Sequence, residues 1–237
     1  GKTKLVFAIT EPDAGSNSHR ISTVARREGD EWVLSGTKYY ISGVDEADAI
    51  LVVAATPDVE GRPGLSLFLV DANAPGLTKT PIPMELVAAE RQYTLFFDGV
   101  RVPSERLVGK PGHGLQQVFV GLNPERILGA AMGNGIARYA LSAGARYAGE
   151  RAVFGAPIGT HQGIAHPLAQ AKIEVELARL MTSKAAWLFD QGLDAAEAAN
   201  MAKYAAAEAA LAAVDAAIQT HGGNGMSEEY GIAALWG

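Results

Sequence analysis

The sequence predicts an α+β protein, with a β-barrel-like or sandwich domain over residues 1–110 followed by a helical bundle domain over residues 111–237. Three observations predict it. Short runs rich in Val, Ile, Thr, Tyr and Phe fill the first part of the chain without helical spacers. Beyond Gly114, small and apolar residues recur at steps of three and four. The two patterns do not overlap, and the change of character falls near residue 110.

The expected strands are Leu5–Thr10, Ser22–Arg26, Glu31–Ser35, Lys38–Ile41, Ala49–Ala54, Leu65–Val70 and Tyr93–Phe97, punctuated by Gly-Asp, Arg-Pro-Gly and Asp-Gly turn signals. Short strands joined by turns close into a barrel or pack as a sandwich. In the second part, Leu168, Ala171, Val175, Ala178, Met181, Ala185 and Leu188 line one face of a helix. Ala199, Ala202, Ala206, Ala209, Ala213, Ala216 and Thr220 line a face of another. The second stripe is almost pure alanine, so neighbouring backbones can approach closely, and Gly222-Gly223 ends its helix by offering a left-handed or extended backbone. A third helical stretch is expected from about His113 to Arg151, interrupted at Pro124, whose ring clashes with the preceding turn and which lacks an N–H. No internal repeat and no low-complexity linker is visible.

Composition excludes several classes of function. With 48% hydrophobic and 19% charged residues the chain can bury a sizeable core. A net charge of −6 offers no basic surface for nucleic acid, and no apolar run is long enough to span a bilayer. The absence of cysteine removes thiol catalysis, disulfides and cysteine metal sites. No targeting segment is visible at Gly1-Lys2-Thr3-Lys4-Leu5, so a cytoplasmic protein is the expectation. Gly1-Lys2-Thr3 lacks the preceding glycine-rich turn of a phosphate loop. Gly133-Asn134-Gly135 lies in a helical pattern with no strand before it, which argues against a dinucleotide fingerprint. His161 and His166 fall on different faces of a helix, so no metal is implied.

The stretches that carry chemistry lie at opposite ends. Ile9-Thr10-Glu11-Pro12-Asp13-Ala14-Gly15-Ser16-Asn17 follows an apolar strand and supplies hydroxyls, a proline-fixed turn and small residues, so backbone N–H groups could meet a flat or anionic group. Turns of ordinary kind use the same residues. Trp32-Val33-Leu34-Ser35-Gly36-Thr37-Lys38-Tyr39-Tyr40-Ile41-Ser42 follows, then Phe97-Asp98-Gly99-Val100-Arg101-Val102-Pro103, then Glu150-Arg151-Ala152-Val153-Phe154-Gly155 with His161-Gln162, and last Gln219-Thr220-His221-Gly222-Gly223-Asn224-Gly225. In this order and at about these separations the five stretches resemble the acyl-CoA dehydrogenase family across nearly the whole chain.

That resemblance implies a middle β domain followed by an antiparallel four-helix-bundle-type domain, binding FAD and acting on an acyl-CoA thioester. Relatives usually begin with a further helical domain and run on past Trp236, so the chain looks truncated at both ends. The implied reaction is α,β-dehydrogenation, in which a glutamate removes the α proton while a hydride leaves the β carbon for flavin N5. Leu122-Asn123-Pro124-Glu125-Arg126-Ile127-Leu128 is similar to the pattern of the isovaleryl-CoA and long-chain branches, which makes Glu125 the candidate base. After Pro124, Glu125 would open a new helical segment, stabilised by its N-terminal dipole and by Arg126.

The other roles implied by the resemblance fall on Ile9, Thr10, Tyr40, Ser42, Arg151, Phe154, Gln162, Gln219, Gly222 and Gly223 for the cofactor, and on Ser16 and Arg126 for the substrate. Tyr40 stands where a tryptophan is often found and preserves stacking. Arg151 suits a pyrophosphate because its guanidinium can bind two oxygens. Val153 departs from the pattern, since a hydroxyl residue is frequent there. Glu11 is read as structural. Gly129, Ala130 and Gly133 beside Glu125 would leave room for an acyl group. An electron-transfer flavoprotein is the implied electron acceptor and a homo-oligomer, a tetramer or a dimer, the implied assembly. A non-catalytic subunit of a heteromeric assembly and an oxidase-type relative are the alternatives.

Overall fold

The computed structural model describes residues 2–57, 63–85 and 90–236. The chain divides into two compact units, residues 1–119 and residues 120–237. Its architecture is α+β.

The first unit is built from β1 (Leu5–Ala8), β2 (Val24–Glu28), β3 (Glu31–Ser42), β4 (Ala49–Pro57), β5 (Pro63–Asp71), β6 (Leu77–Ile82), β7 (Gln92–Pro103) and β8 (Leu107–Val108). They form one sheet in the order β6-β7-β3-β2-β4-β5-β8, with β1 running parallel to β4. Among the described residues β6 and β8 have no partner on their outer side, so the sheet is open and not a closed barrel. β1 and the start of β2 share one edge of β4, where Leu5 pairs with Ala49 and Val24 with Ala55.

The two runs expected on either side of Gly36 are a single strand. Gly36, at φ +148°, lies where the β3–β7 register slips between Leu34 and Gly36, and a Cβ there would sit 2.5 Å from the Thr23 hydroxyl oxygen. The bulge lets the strand continue past a glycine that reads locally as a break. β6 carries no clear signal because its side chains are mostly exposed or half-buried. The core on the covered face is Trp32, Leu34, Ile50, Phe68, Leu95 and Val100, all buried, with the Trp32 and Phe68 rings 5.4 Å apart. Each such side chain contributes roughly 1.5–3 kcal/mol on burial.

In the second unit the long helices are α1 (Gly114–Glu150), α2 (Gln162–Asp190) and α3 (Ala196–His221), with the two-stranded ribbon β9 (Ala152–Val153) and β10 (Ala156–Pro157) between α1 and α2. The predicted α2 stripe is the buried one at Ala171, Val175, Ala178 and Ala185, and every alanine of the predicted α3 stripe is buried. α1 differs from expectation, since it runs unbroken through Pro124. A proline removes one donor, and one missing bond in a 37-residue helix leaves the ladder on both sides intact. Alanine and glycine at the contact bring the backbones close: a Cβ on Gly133 would lie 3.1 Å from the carbonyl oxygen of Ala206. A buried polar pair crosses this core, Asn134 Nδ2 donating to Thr182 Oγ1 at 2.9 Å while Thr182 Oγ1 donates to the Ala178 carbonyl at 2.8 Å. No helix among the described residues is long and apolar enough to cross a membrane.

Candidate functional site

After β1 the chain makes a closed turn, in which Glu11 N donates to the Ala14 carbonyl at 3.1 Å and Ala14 N returns to the Glu11 carbonyl at 3.2 Å. Pro12 and Asp13 form its tip. The Glu11 side chain points inward, 3% exposed, and accepts from Ser22 N at 2.7 Å, Ser22 Oγ at 2.6 Å, Thr23 N at 3.0 Å and Lys38 Nζ at 2.8 Å. Lys38, fully buried, also donates to the Ile9 carbonyl at 2.9 Å, and the next residue on β3, Tyr39, donates its N–H to the Thr10 carbonyl at 2.8 Å. The loop is therefore stitched to β3 at consecutive carbonyls. Burial alone pushes the Glu11 carboxyl up, but the hydrogen bonds from Lys38, Ser22 and Thr23 outweigh it and hold the group down at about 2. Burial pulls Lys38 down to about 8, the Glu11 hydrogen bond restoring only part. The structural reading of Glu11 agrees with these contacts.

Just beyond this stitch β3 bulges again, its register against β7 slipping between Lys38 and Ile41. Tyr40 occupies the bulge at φ +56°, a left-handed backbone that non-glycine residues rarely hold, and its ring is 50% exposed against Tyr39 at a centroid distance of 4.2 Å. Ser42 lies opposite Gln92 on β7, with Ser42 Oγ 3.0 Å from Gln92 Oε1 and 2.9 Å from Gln92 Nε2. Ile9, Thr10 and Ser42 are half-buried, and Ser16 is exposed beside Gly15, where a Cβ would meet nothing within 4 Å. Ile9, Thr10 and Tyr40 are thus joined by one network, while Ser16 stands outside it.

In the second unit Glu125 is exposed on α1. Because α1 is continuous there, Glu125 lies in the helix interior, and the stabilisation expected from a helix N-terminus at Pro124 does not apply. The neighbouring Arg126 donates from Nη1 to Asn123 Oδ1 at 3.2 Å. The small residues expected to leave room beside Glu125 are used for packing. Ala130 is fully buried, Gly133 faces the Ala206 backbone, and a Cβ on Gly129 would meet Lys203 Cε at 3.1 Å.

Arg151 follows the last turn of α1, its N–H bonded to the Tyr147 carbonyl and its own carbonyl accepting from Ile158 N, each at 2.8 Å. Its exposed guanidinium has no ion-pair partner among the described residues. Phe154 sits at the tip of the β9–β10 ribbon at φ +56°, followed by Gly155 at φ +81°, and its side chain is 95% exposed. Gln162 is exposed at the start of α2.

At the far end of α3, Gln219 is exposed and its carbonyl accepts from the Gly222 N–H. Gly222 takes φ 58° and ψ −134°, a backbone reserved for glycine, and a Cβ at Gly222 or Gly223 would meet nothing within 4 Å. Behind the turn, His221 is buried with Nδ1 2.7 Å from the Ala217 carbonyl oxygen, and its ring stacks on Tyr147 at 4.3 Å. Asn224 Nδ2 donates to the Tyr147 hydroxyl at 3.0 Å, closing the cage over the turn. The described residues hold no group of three His, Asp or Glu able to take a metal ion.

Three contributors escaped sequence reasoning. Lys38 is a buried charge whose partner lies 27 positions away, and no local pattern marks it. Gln92 becomes adjacent to Ser42 only through the β3–β7 register. His221 lies in the last turn of α3, and nothing local marks that the Tyr147 ring stacks on it.

Residues 6–100 match the acyl-CoA dehydrogenase middle domain, and residues 112–237 match the acyl-CoA dehydrogenase C-terminal domain. The chain is 56% identical over 238 aligned positions to acyl-CoA dehydrogenase FadE12 of Mycobacterium tuberculosis, covering 99% of this chain and 61% of that protein. Its fold is similar to butyryl-CoA dehydrogenase from Megasphaera elsdenii with a TM-score of 0.92 at 32% identity, over 99% of this chain and 62% of that one. It is also similar to PigA solved with FAD and proline, with a TM-score of 0.91 at 29% identity, over 99% and 62% of the two chains. The chain spans 61% of the length of the FadE12 relative. With both of these domain types matched, the chain belongs to the acyl-CoA dehydrogenase family.

Proposed function

We propose that this chain forms part of an FAD-dependent acyl-CoA dehydrogenase. The observation that carries the reading is conformational. Among the described residues the non-glycine residues with positive φ are Tyr40 and Phe154, and both stand at positions that the family's motifs assign to the cofactor. A left-handed tyrosine or phenylalanine costs of order 1–2 kcal/mol and persists only where its surroundings enforce it; Phe154, 95% exposed, has little packing to offset that cost, and Tyr40, 50% exposed, has its contact with Tyr39.

The residues present fit the group chemically. In the first unit the exposed Tyr40 ring offers a flat face, and the hydroxyls of Thr10 and Ser42 can donate to or accept from the polar edge of an isoalloxazine ring. In the second unit the exposed guanidinium of Arg151 suits a pyrophosphate, Phe154 offers an exposed aromatic, and the open Gly222-Gly223 backbone with Gln219 and Gln162 suits the adenosine end. When bound, FAD supplies a two-electron acceptor for the hydride leaving the β carbon of an acyl thioester.

Within that reading Glu125 accepts the α proton in its carboxylate form. Its exposed place on α1 leaves the carboxylate accessible, and the neighbouring Arg126, whose Nη1 donates to Asn123, is assigned to the substrate. Ser16 contacts the CoA portion of the thioester. A division between the β and helical domains near residue 110 accompanies these roles, and electrons leave to an electron-transfer flavoprotein. Assembly as a homo-oligomer is supported by the apolar side chains exposed on the outer faces of α2 and α3, among them Leu177, Leu180 and Tyr204, each more than 60% exposed. A scaffold relative solved with FAD and proline keeps a different flavin-dependent oxidation open as the second reading.

The test is retention of the cofactor. The purified chain, incubated with FAD and passed through gel filtration, is expected to elute with flavin absorption; flavin eluting wholly apart from the protein would overturn the reading.

A further inference from the structure

The Glu11–Lys38 pair is the one buried titratable pair in the first unit, with side-chain exposures of 2% and 0% among the described residues, and neither group has a part in the chemistry proposed above. Burying an ion pair is an expensive way to stabilise a fold. Apolar side chains of similar volume often do as well or better, so stability does not account for its presence. Its connections point elsewhere. Lys38 Nζ spends one donor on Glu11 Oε1 and another on the Ile9 carbonyl, and Tyr39 N takes the Thr10 carbonyl next in line. Glu11 in turn takes the N–H groups of Ser22 and Thr23. Four segments, the end of β1, the 11–14 turn, the start of β2 and β3, therefore meet on one ammonium–carboxylate contact.

Lys38 is also the last residue in register before the bulge that places Tyr40 in its left-handed conformation. The strand is fixed on one side of the bulge by a buried ammonium and on the other by Ile41, which is 2% exposed and pairs with Tyr93. A bulged strand free to slip by one residue would turn Tyr40 to the other face.

We propose that Lys38 is a positioning residue for flavin binding, acting with Glu11 to hold the Ile9–Thr10 carbonyls and the Tyr40 bulge in the arrangement that receives the ring. This rests on the functional reading given above. With the Ile9 and Thr10 carbonyls both occupied by β3, the end of β1 meets a ligand through the Thr10 hydroxyl. Lys38 contributes no contact of its own.

The experiment compares FAD binding by the wild-type chain with that of the double variant Glu11→Gln/Lys38→Met. Gln keeps a carbonyl acceptor for Ser22 and Thr23, and Met fills the volume of the lysine stem. The double variant is expected to unfold at a urea midpoint close to the wild type, yet to bind FAD at least about tenfold more weakly in a flavin-fluorescence titration, with the shape of its visible bands moved toward free flavin. A folded double variant with wild-type affinity and wild-type bands would overturn the proposal while leaving the functional reading standing. If the double variant does not fold, Glu11→Gln alone decides by the same two readouts, unchanged affinity and bands again overturning it. A wild-type chain that binds no FAD sinks the functional reading itself, and this proposal with it.

Discussion

Lys38 Nζ meets Glu11 Oε1 at 2.8 Å with both side chains removed from water, and this contact ties the turn after β1 to β3 beside Tyr40. The residues proposed to face the flavin in the first unit are thus set by a pair that touches none of the chemistry.

The pair makes stability pH-dependent on the acid side. Glu11 is held at about 2 in the folded chain against 4.5 for an ordinary glutamate, so the unfolded chain binds its proton first as pH falls. The contribution is fully present above about pH 4.5 and is lost between there and pH 2, amounting to about 3 kcal/mol. Urea midpoints measured at pH 7, 4 and 3 are expected to fall, and the fall is expected to be much shallower in Glu11→Gln.

Glu125→Gln is expected to leave the fold and FAD binding unchanged, because the residue is exposed and in no ion pair among the described residues, and exposed changes of this kind stay within about 0.5 kcal/mol. Removing a general base costs about 10²- to 10⁴-fold in the step it serves. Stopped-flow reduction of the bound flavin by an acyl-CoA thioester checks this, and an unslowed variant would transfer the role to another group.

Phe154→Gly is expected to stabilise the helical unit by about 1 kcal/mol, since glycine accepts φ +56° without strain and a side chain 95% exposed loses little packing. The same change is expected to weaken FAD binding. A thermal melt and a fluorescence titration on one sample read both effects, whose opposite signs separate a functional aromatic from a structural one.

Two glycines of α1 are expected to respond in opposite directions. Gly133→Leu forces atoms into the Ala206 backbone, 3.1 Å from where its Cβ would stand, and is expected to cost about 1–3 kcal/mol. Gly135→Ala, where a Cβ meets nothing within 4 Å, is expected to gain about 0.5–1 kcal/mol from helix propensity. Urea denaturation of the two variants checks the close approach of α1 and α3.

What the sequence disclosed followed the range of each interaction. The α2 and α3 stripes were legible because a helix buries residues at a fixed local period, and Ala202, Ala206 and Ala209 are buried as that period requires. β6 was not, since its side chains bury little and leave no alternation. β3 reads as two strands parted at Gly36, because a bulge is a property of the pairing with β7 and not of the strand alone. Pro124 reads locally as a break, yet the long helix α1 runs through it. In the site, Tyr40 and Phe154 were visible through motif resemblance, whereas Lys38 and Gln92 depend on partners 27 and 50 positions away.

The measurement that bears most directly on the proposed activity is an anaerobic titration of the FAD-loaded chain with a panel of acyl-CoA thioesters, followed by analysis of the thioester. Bleaching of the flavin band with one equivalent of α,β-unsaturated product per flavin is the predicted result. A loaded chain whose flavin stays oxidised with every thioester would contradict it.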